Sequence, residues 1–143
     1  MTTLAGELEK ILGVDRQWRI ALVGAGRLGS ALLDFPGFVH FNLKIVVAFD
    51  NDPAKIGEVR SGIRVEDVRR IRSVLRNRRV RIGMLCVPPE VAQRVTDDLI
   101  NAGAQAILNF APVSIKSPAQ VYVANVDMAC ELETLAYFLK SSA

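Results

Sequence analysis

A chain of 143 residues, half of them hydrophobic and with a formal net charge of +3, has the apolar material for one compact domain. The opening MTTLAGELEK is interrupted by two acids and leads into no apolar h-region, so it does not read as a signal peptide. The apolar runs are too short to span a bilayer, and the expectation is a cytoplasmic protein with no membrane partner.

In chain order, TLAGELEKIL (3–12) reads as a short amphipathic helix with Leu4, Leu8, Ile11 and Leu12 on one side. RIALVG (19–24) reads as a buried strand, and it breaks into a glycine-rich turn that opens a helix over 27–35. NLKIVVAFD (42–50) is a second strand. The lone histidine, His40, falls in the connection before it and is expected to be a surface residue, away from the ligand-binding ends of the strands. A helix is predicted over 66–77, a strand within 78–88 and a helix over 90–102, where Val91, Val95, Leu99 and Ile100 mark the apolar stripe. AQAILNFAP (104–112) and QVYVANV (120–126) are further strands. Continuous Val/Ile/Leu runs alternating with helices predict an α/β fold, a single Rossmann-like doubly wound and mostly parallel sheet.

The last segment, DMACELETLAYFLK (127–140), places Met128, Leu132, Leu135, Ala136, Phe138 and Leu139 around much of its circumference. Such a helix has to bury two sides, which packing within the monomer or a subunit interface would provide. The interface accounts for it more easily and predicts a homodimer. Cys86 and Cys130 have no CxxC or Cys/His clustering; both are expected to be buried thiols, with no metal site or disulfide framework.

Gly24, Gly26 and Gly29 form G-x-G-x-x-G between a strand and a helix. The first glycine allows a tight turn, the second lets the backbone approach a pyrophosphate, and the third lets the helix lie close to the strand. Asp50 ends the next strand, where an acid accepts hydrogen bonds from adenosine ribose hydroxyls and repels a 2′-phosphate. No arginine follows in DNDPAKIG to welcome such a phosphate, so NAD(H) is favoured over NADP(H). A structural glycine turn with Asp50 as an N-cap, and a coenzyme A site, are the competing readings of the same residues. A dehydrogenase would need a substrate region and a proton donor or acceptor near the nicotinamide. Lys116 and Asp127 have no Ser/Tyr/Lys or Cys/His partners, and no catalytic residue is predicted.

Several segments together carry a resemblance: LGVDRQWRIALVGAGRLGSALLDFPGF, AFDNDPAKIG, VPPEVAQRVTDDLINAGAQAILNFAPV and NVDMACELETLAYFL. From about Leu12 to Leu139 the chain resembles the C-terminal domain of the Rex family of bacterial redox-sensing transcriptional repressors. NFAPV followed by the terminal helix is more specific than the glycines. The resemblance implies an NAD(H)-binding sensor of the NADH/NAD+ ratio that is not an enzyme. It also implies a dimer formed through a domain-swapped C-terminal helix.

By position, the resemblance places Gly24, Ala25, Gly26, Arg27, Leu28 and Gly29 around the pyrophosphate. It places Asp50 at the ribose and Asn51 beside the adenine. Val87 and Pro88 would line the pocket, and Asn109, Phe110, Ala111 and Pro112 the nicotinamide side. It puts Asp127 at the sensing dimer interface and Met128 where some members carry an aromatic residue. Phe35 stands where some members have a tyrosine, which removes a hydroxyl from the sensing network. Leu132, Leu135 and Phe138 would face the partner subunit.

The resulting divisions are a residual linker-type helix over 1–11, the NAD(H)-binding domain over 12–126 and a dimerisation helix over 127–143. Only residues 1–11 precede the match, where family members carry a winged helix. This chain is therefore expected to bind no DNA alone, and to act through a partner such as a full-length Rex or as the sensing half of one. A naturally shortened paralogue and an isolated sensor domain both fit. The alternative function is a coenzyme A-binding or dehydrogenase-like nucleotide-binding subunit working with a separate catalytic chain.

Nine arginines lie between positions 60 and 81: Arg60, Arg64, Arg69, Arg70, Arg72, Arg76, Arg78, Arg79 and Arg81. Arg69, Arg72 and Arg76 are predicted on one helix face opposite Val68, Ile71 and Leu75, a solvated face or a surface for an anionic partner.

Overall fold

The computed structural model describes residues 17–142, so the helix expected over 3–12 and the linker division over 1–11 lie outside the described residues. The elements are β1 (Trp18–Val23), α1 (Arg27–Leu33), a 3-10 helix (Pro36–Phe41), β2 (Leu43–Asp50), β3 (Val59–Arg60) and β4 (Ile63–Asp67). A 3-10 turn (Val68–Arg70) leads into α2 (Ile71–Arg78). Then follow β5 (Ile82–Leu85), α3 (Pro89–Asn101), β6 (Ala106–Asn109), β7 (Tyr122–Asn125) and α4 (Met128–Ser142). The sheet order is β3-β4-β2-β1-β5-β6-β7, parallel throughout except at the β3–β4 pair. After β1 the chain builds outward through β2 to β4 and then returns to the other side of β1 with β5. The direction of winding thus reverses at the C-terminal end of β1, where open α/β sheets bind ligands.

Alternate residues of β1 enter different layers, and those of β2 do so after a register shift between Ile45 and Val47. Ala21, Val23, Val47 and Phe49 pack with Ile71, Val74 and Leu75 of α2 and Val95 and Leu99 of α3. Ile20, Leu22, Ile45 and Ala48 pack on the opposite face with Leu33 of α1, and Phe38 of the 3-10 helix lies against them. Both faces of the sheet are therefore covered, as the uninterrupted apolar runs predicted. Gly83 in β5 brings α3 close: a Cβ there would meet Leu99 Cδ1 at 2.8 Å. The Thr96 hydroxyl, buried in the same layer, is satisfied by the Ala92 carbonyl at 2.8 Å.

The fold corrects several expectations. Residues 66–67 belong to β4 and not to a helix; α2 begins only at Ile71, with Arg69 in the preceding 3-10 turn. Strand β4 joins the sheet through Ala48↔Val65 and Asp50↔Asp67, a register that fixes residues 65–67 as extended. Its hairpin with β3 turns on Ser61 at φ 52° and Gly62 at φ 77°. Two successive positive φ values match the twist of a two-residue hairpin, and the S-G pair within VRSGIRV is its sequence signal. The strand within 78–88 is shorter than expected, because Arg78 closes α2 and Arg79 leaves it in the left-handed conformation. His40 is exposed, in the 3-10 helix.

Val91 is exposed; the buried face of α3 is Ala92, Val95, Thr96 and Leu99. Cys130 is exposed as well, because α4 does not pack on the sheet: residues 127–140 are all exposed in the single chain. Among the described residues no helix is long and apolar enough to cross a membrane.

Candidate functional site

The glycine turn leaves β1 at the point of reversal. Gly24 adopts φ +101°, and a Cβ on it would overlap the Cys86 carbonyl of the adjacent strand. A Cβ on Gly29 would overlap the carbonyl of Gly24, so α1 lies directly on the turn. Gly26 differs: a Cβ there would meet nothing within 4 Å. The first and third glycines serve the protein's own packing, and the second keeps a space open above the turn.

Gly26 is also the N-cap of α1 and supplies no side chain to the first-turn N–H groups. The Ala25 N–H donates instead to Asp50 Oδ2 at 2.8 Å, while Asp50 Oδ1 accepts the Asp52 N–H at 2.9 Å. The acid at the end of β2 thereby clamps the turn after β1. Each carboxylate oxygen has two lone-pair sites, so one on each stays available to a ligand hydroxyl.

A cavity of about 970 Å³ opens over these residues. That is at the upper end of the roughly 300–1,000 Å³ of small-molecule and cofactor sites. Gly24, Gly26, Asp50 and Asn51 form its floor, Val87 and Pro88 its β5 side, and Val68, Ile71, Val91 and Val95 apolar walls. Lys55, Arg69, Arg72 and Arg94 bring cations to the same space, against Asp50, Asp52 and Asp98. The space over Gly26, the acid with spare acceptor sites and the apolar walls suit the adenosine and pyrophosphate part of a dinucleotide.

Of the residues singled out from the sequence, Gly24, Gly26, Asp50, Asn51, Val87 and Pro88 meet at this cavity. Ala25, Arg27, Leu28 and Gly29 complete the turn behind it, and Asn109, Phe110, Ala111 and Pro112 end the neighbouring β6 without lining it. The structure does not bring Phe35, Asp127, Met128, Leu132, Leu135 or Phe138 to the cavity. Phe35 is exposed and meets Phe38 edge-on with centroids 4.9 Å apart. Asp127 caps α4 through Oδ1 and the Cys130 N–H at 3.0 Å. Met128, Leu132, Leu135 and Phe138 are exposed along the same helix.

The arginine run divides. Arg60 pairs with Asp34 at 3.0 Å, Arg69 with Asp67 at 2.7 Å, and Arg70 with Glu66 at 3.0 Å. Arg78 donates to the Val46 carbonyl at 2.9 Å. Hydrogen bonds from Arg60 and Ser61 hold the Asp34 carboxyl below its usual range, and those from Arg69 do the same for Asp67. No arginine follows Asp50 in DNDPAKIG, but Arg69 of the 3-10 turn and Arg72 of α2 reach the same cavity from elsewhere in the chain. Cys86 also lines the cavity, and burial pushes its thiol up to about 12, leaving it protonated and unreactive at neutral pH. Among the described residues no cluster of His, Cys, Asp or Glu could hold a metal ion.

Residues 15–113 match the family model described as CoA binding domain. The chain belongs to the CoA-binding domain family. Within this CoA-binding domain family the chain is homologous to redox-sensing transcriptional repressors named Rex. It is 45% identical over 128 residues to Rex of Desulfitobacterium hafniense, covering 90% of this chain and 61% of that protein. It is also similar to RSP, a Rex-family repressor, at 33% identity and TM-score 0.90 in the structure with β-NAD+ and operator DNA. That likeness covers 95% of this chain and 63% of RSP. The structure of RSP with β-NADH gives 33% identity and TM-score 0.88, over 95% and 66%. The chain thus spans less than two thirds of the length of these relatives.

Proposed function

We propose that this chain is the NAD(H)-binding, redox-sensing domain of a Rex-type transcriptional repressor, responding to the NADH/NAD+ ratio, and is not an enzyme. The observation that carries this reading is the open space over Gly26 beside Asp50, at the sheet's point of reversal. Homology to Rex repressors, and the RSP structures with β-NAD+ and with β-NADH, support it.

In this reading the turn Gly24–Gly29 carries the pyrophosphate, Asp50 the ribose hydroxyls and Asn51 the adenine. Val87 and Pro88 line the pocket, and Asn109, Phe110, Ala111 and Pro112 bound the nicotinamide end. The exposed face of α4, with Leu132, Leu135 and Phe138, meets a second copy in a cytoplasmic homodimer, its helix exchanged between subunits. Asp127, Met128 and Phe35 lie at that sensing interface. The domain divisions are 12–126 for the nucleotide and 127–143 for the dimer. Replacing NAD+ by NADH changes the relative orientation of the subunits, and operator DNA is contacted by other parts of the assembly, such as a full-length Rex.

Isothermal titration with NADH, NAD+ and coenzyme A tests the proposal. The expected result is NADH binding tighter than NAD+ and no competing coenzyme A site. Coenzyme A binding in preference to NADH would replace this reading with a nucleotide-binding subunit of another system. Equal affinity for the two redox forms would remove sensing.

A further inference from the structure

Asn109 ends β6, and its side chain is nearly sealed at 1% exposure. Its Oδ1 accepts the Ala111 N–H at 2.9 Å, and Nδ2 donates to the Val113 carbonyl at 2.9 Å and to Asn125 Oδ1 at 3.1 Å. An amide has two N–H donors, and both are engaged, so Asn109 has none left for a ligand. What it does is hold the loop 110–113 closed and tie it to the end of β7.

A second bond reinforces that tie: the Asn109 carbonyl accepts the Val126 N–H at 2.8 Å. The next residue is Asp127, whose side chain caps α4 at Cys130 and whose carbonyl accepts the Glu131 N–H at 3.1 Å. Hydrogen bonds therefore join the loop 110–113 through Asn109 to Asn125 and Val126, and the backbone carries on directly from Val126 to Asp127 at the root of α4. Beyond that root, residues 127–140 are exposed in the single chain, so residues 125–127 set the direction in which the helix leaves the domain.

We infer that Asn125, through its hydrogen bond to Asn109, is a positioning residue that couples the loop 110–113 to the direction of α4. The carboxamide of Asn109 is a rigid plane with three partners: two on the loop and one, Asn125, on β7. When the loop shifts, the plane turns with it, and Asn125 either follows or loses its bond. The inference rests on the reading that the nicotinamide end of NAD(H) lies against residues 110–113. Asn125 touches no ligand in this account; its role is to relay the loop's position to the helix.

The test uses the full chain, labelled at Cys130 with an environment-sensitive maleimide. Cys130 is exposed in the single chain and, by helical spacing, lies off the Leu132, Leu135 and Phe138 face proposed to meet a second copy; the partly buried Cys86 thiol, pushed up to about 12, does not compete for label at neutral pH. Probe emission with and without NADH is compared for the wild-type chain, Asn125→Ala and Asn125→Asp, with NADH affinity measured on each. Asn125 is exposed, so its truncation leaves the core intact. The inference expects Asn125→Ala to bind NADH within about threefold of wild type while losing more than about half of the emission change. Asn125→Asp keeps the acceptor oxygen and should recover the response.

A full response in Asn125→Ala would overturn the inference, as would NADH binding by the wild type without an emission change. Loss of NADH affinity in step with the response would make Asn125 part of the binding surface and overturn it equally. If the wild-type chain does not bind NADH at all, the proposed function itself fails and this inference falls with it. That failure is recognisable because no substitution is needed to see it.

Discussion

The carboxylate of Asp50 accepts the amide N–H of Ala25 at 2.8 Å, so the end of β2 holds the turn that follows β1. The two segments of the nucleotide site are thus one hydrogen-bonded unit. Asp50→Ala removes the clamp on the turn together with the acceptor proposed for the ribose. NADH affinity should fall by about 1–3 kcal/mol, the range for lost hydrogen bonds to a charged group. Asp50→Asn keeps one acceptor oxygen and should lose less. Calorimetry on both variants checks this, and unchanged affinity in Asp50→Ala would mean that the ribose lies elsewhere.

Gly24 and Gly26 should separate folding from binding. A Cβ on Gly26 meets no protein atom within 4 Å, so Gly26→Val should melt close to wild type and bind no NADH. Gly24→Ala forces a Cβ into the Cys86 carbonyl at a positive φ and should cost at least about 1–3 kcal/mol of stability. Thermal melts paired with titrations distinguish the two, and a Gly26→Val chain that still binds NADH would show that the open space is not the pyrophosphate site.

Of the two thiols expected to be buried, Cys86 is partly buried and Cys130 is exposed. With a disulfide-exchange reagent at neutral pH, one thiol per chain should react quickly, and Cys130→Ser should abolish that phase. Cys86 carries the alkaline signature. Its folded value, about 12, lies above the ordinary 9.0, so its contribution to stability is full below about pH 9. Between there and about pH 12 the unfolded chain releases the proton first, and that contribution declines as pH rises. Cys86→Ala should flatten this part of a stability-versus-pH curve measured by urea unfolding.

On α4, Leu135 and Phe138 are 58% and 63% exposed in the single chain. Burying such side chains contributes about 1.5–3 kcal/mol each, enough to hold a subunit contact when several act together. Leu135→Asp combined with Phe138→Asp should shift the sedimentation coefficient from dimer to monomer. An unchanged dimer would locate the interface away from this helix.

The central strands and the glycine turn were legible because their signals are local: apolar runs of strand length, and a glycine spacing that opens a helix. The hairpin β3–β4 was not, although S-G was its visible cue. Charged Arg64 and Glu66 alternate with Ile63 and Val65 there and run directly into the helical spacing of Val68, Ile71 and Leu75. The cavity walls were hidden for another reason. Arg72 and Arg94 lie far from Asp50 in sequence, and only the stacking of α2 and α3 on the sheet brings them to it. Val91 was assigned to the buried stripe by its apolar character, whereas the close approach of α3 to β5 favours Ala92 and Thr96 on the inner face. Asp127 was placed at the start of the last helix by resemblance, and the structure adds its capping bond to the Cys130 N–H.

The absence of a side chain at Gly83 has an effect well away from β5. It lets Leu99 settle onto the strand, and with it the whole of α3, whose Val91, Arg94, Val95 and Asp98 form one flank of the cavity. The packing of one cavity flank on the sheet therefore depends on a position that does not itself line the cavity. A single methyl group at Gly83 would first have to displace the tip of the buried Leu99 side chain, on the same helix that carries the cavity residues Val91, Arg94, Val95 and Asp98.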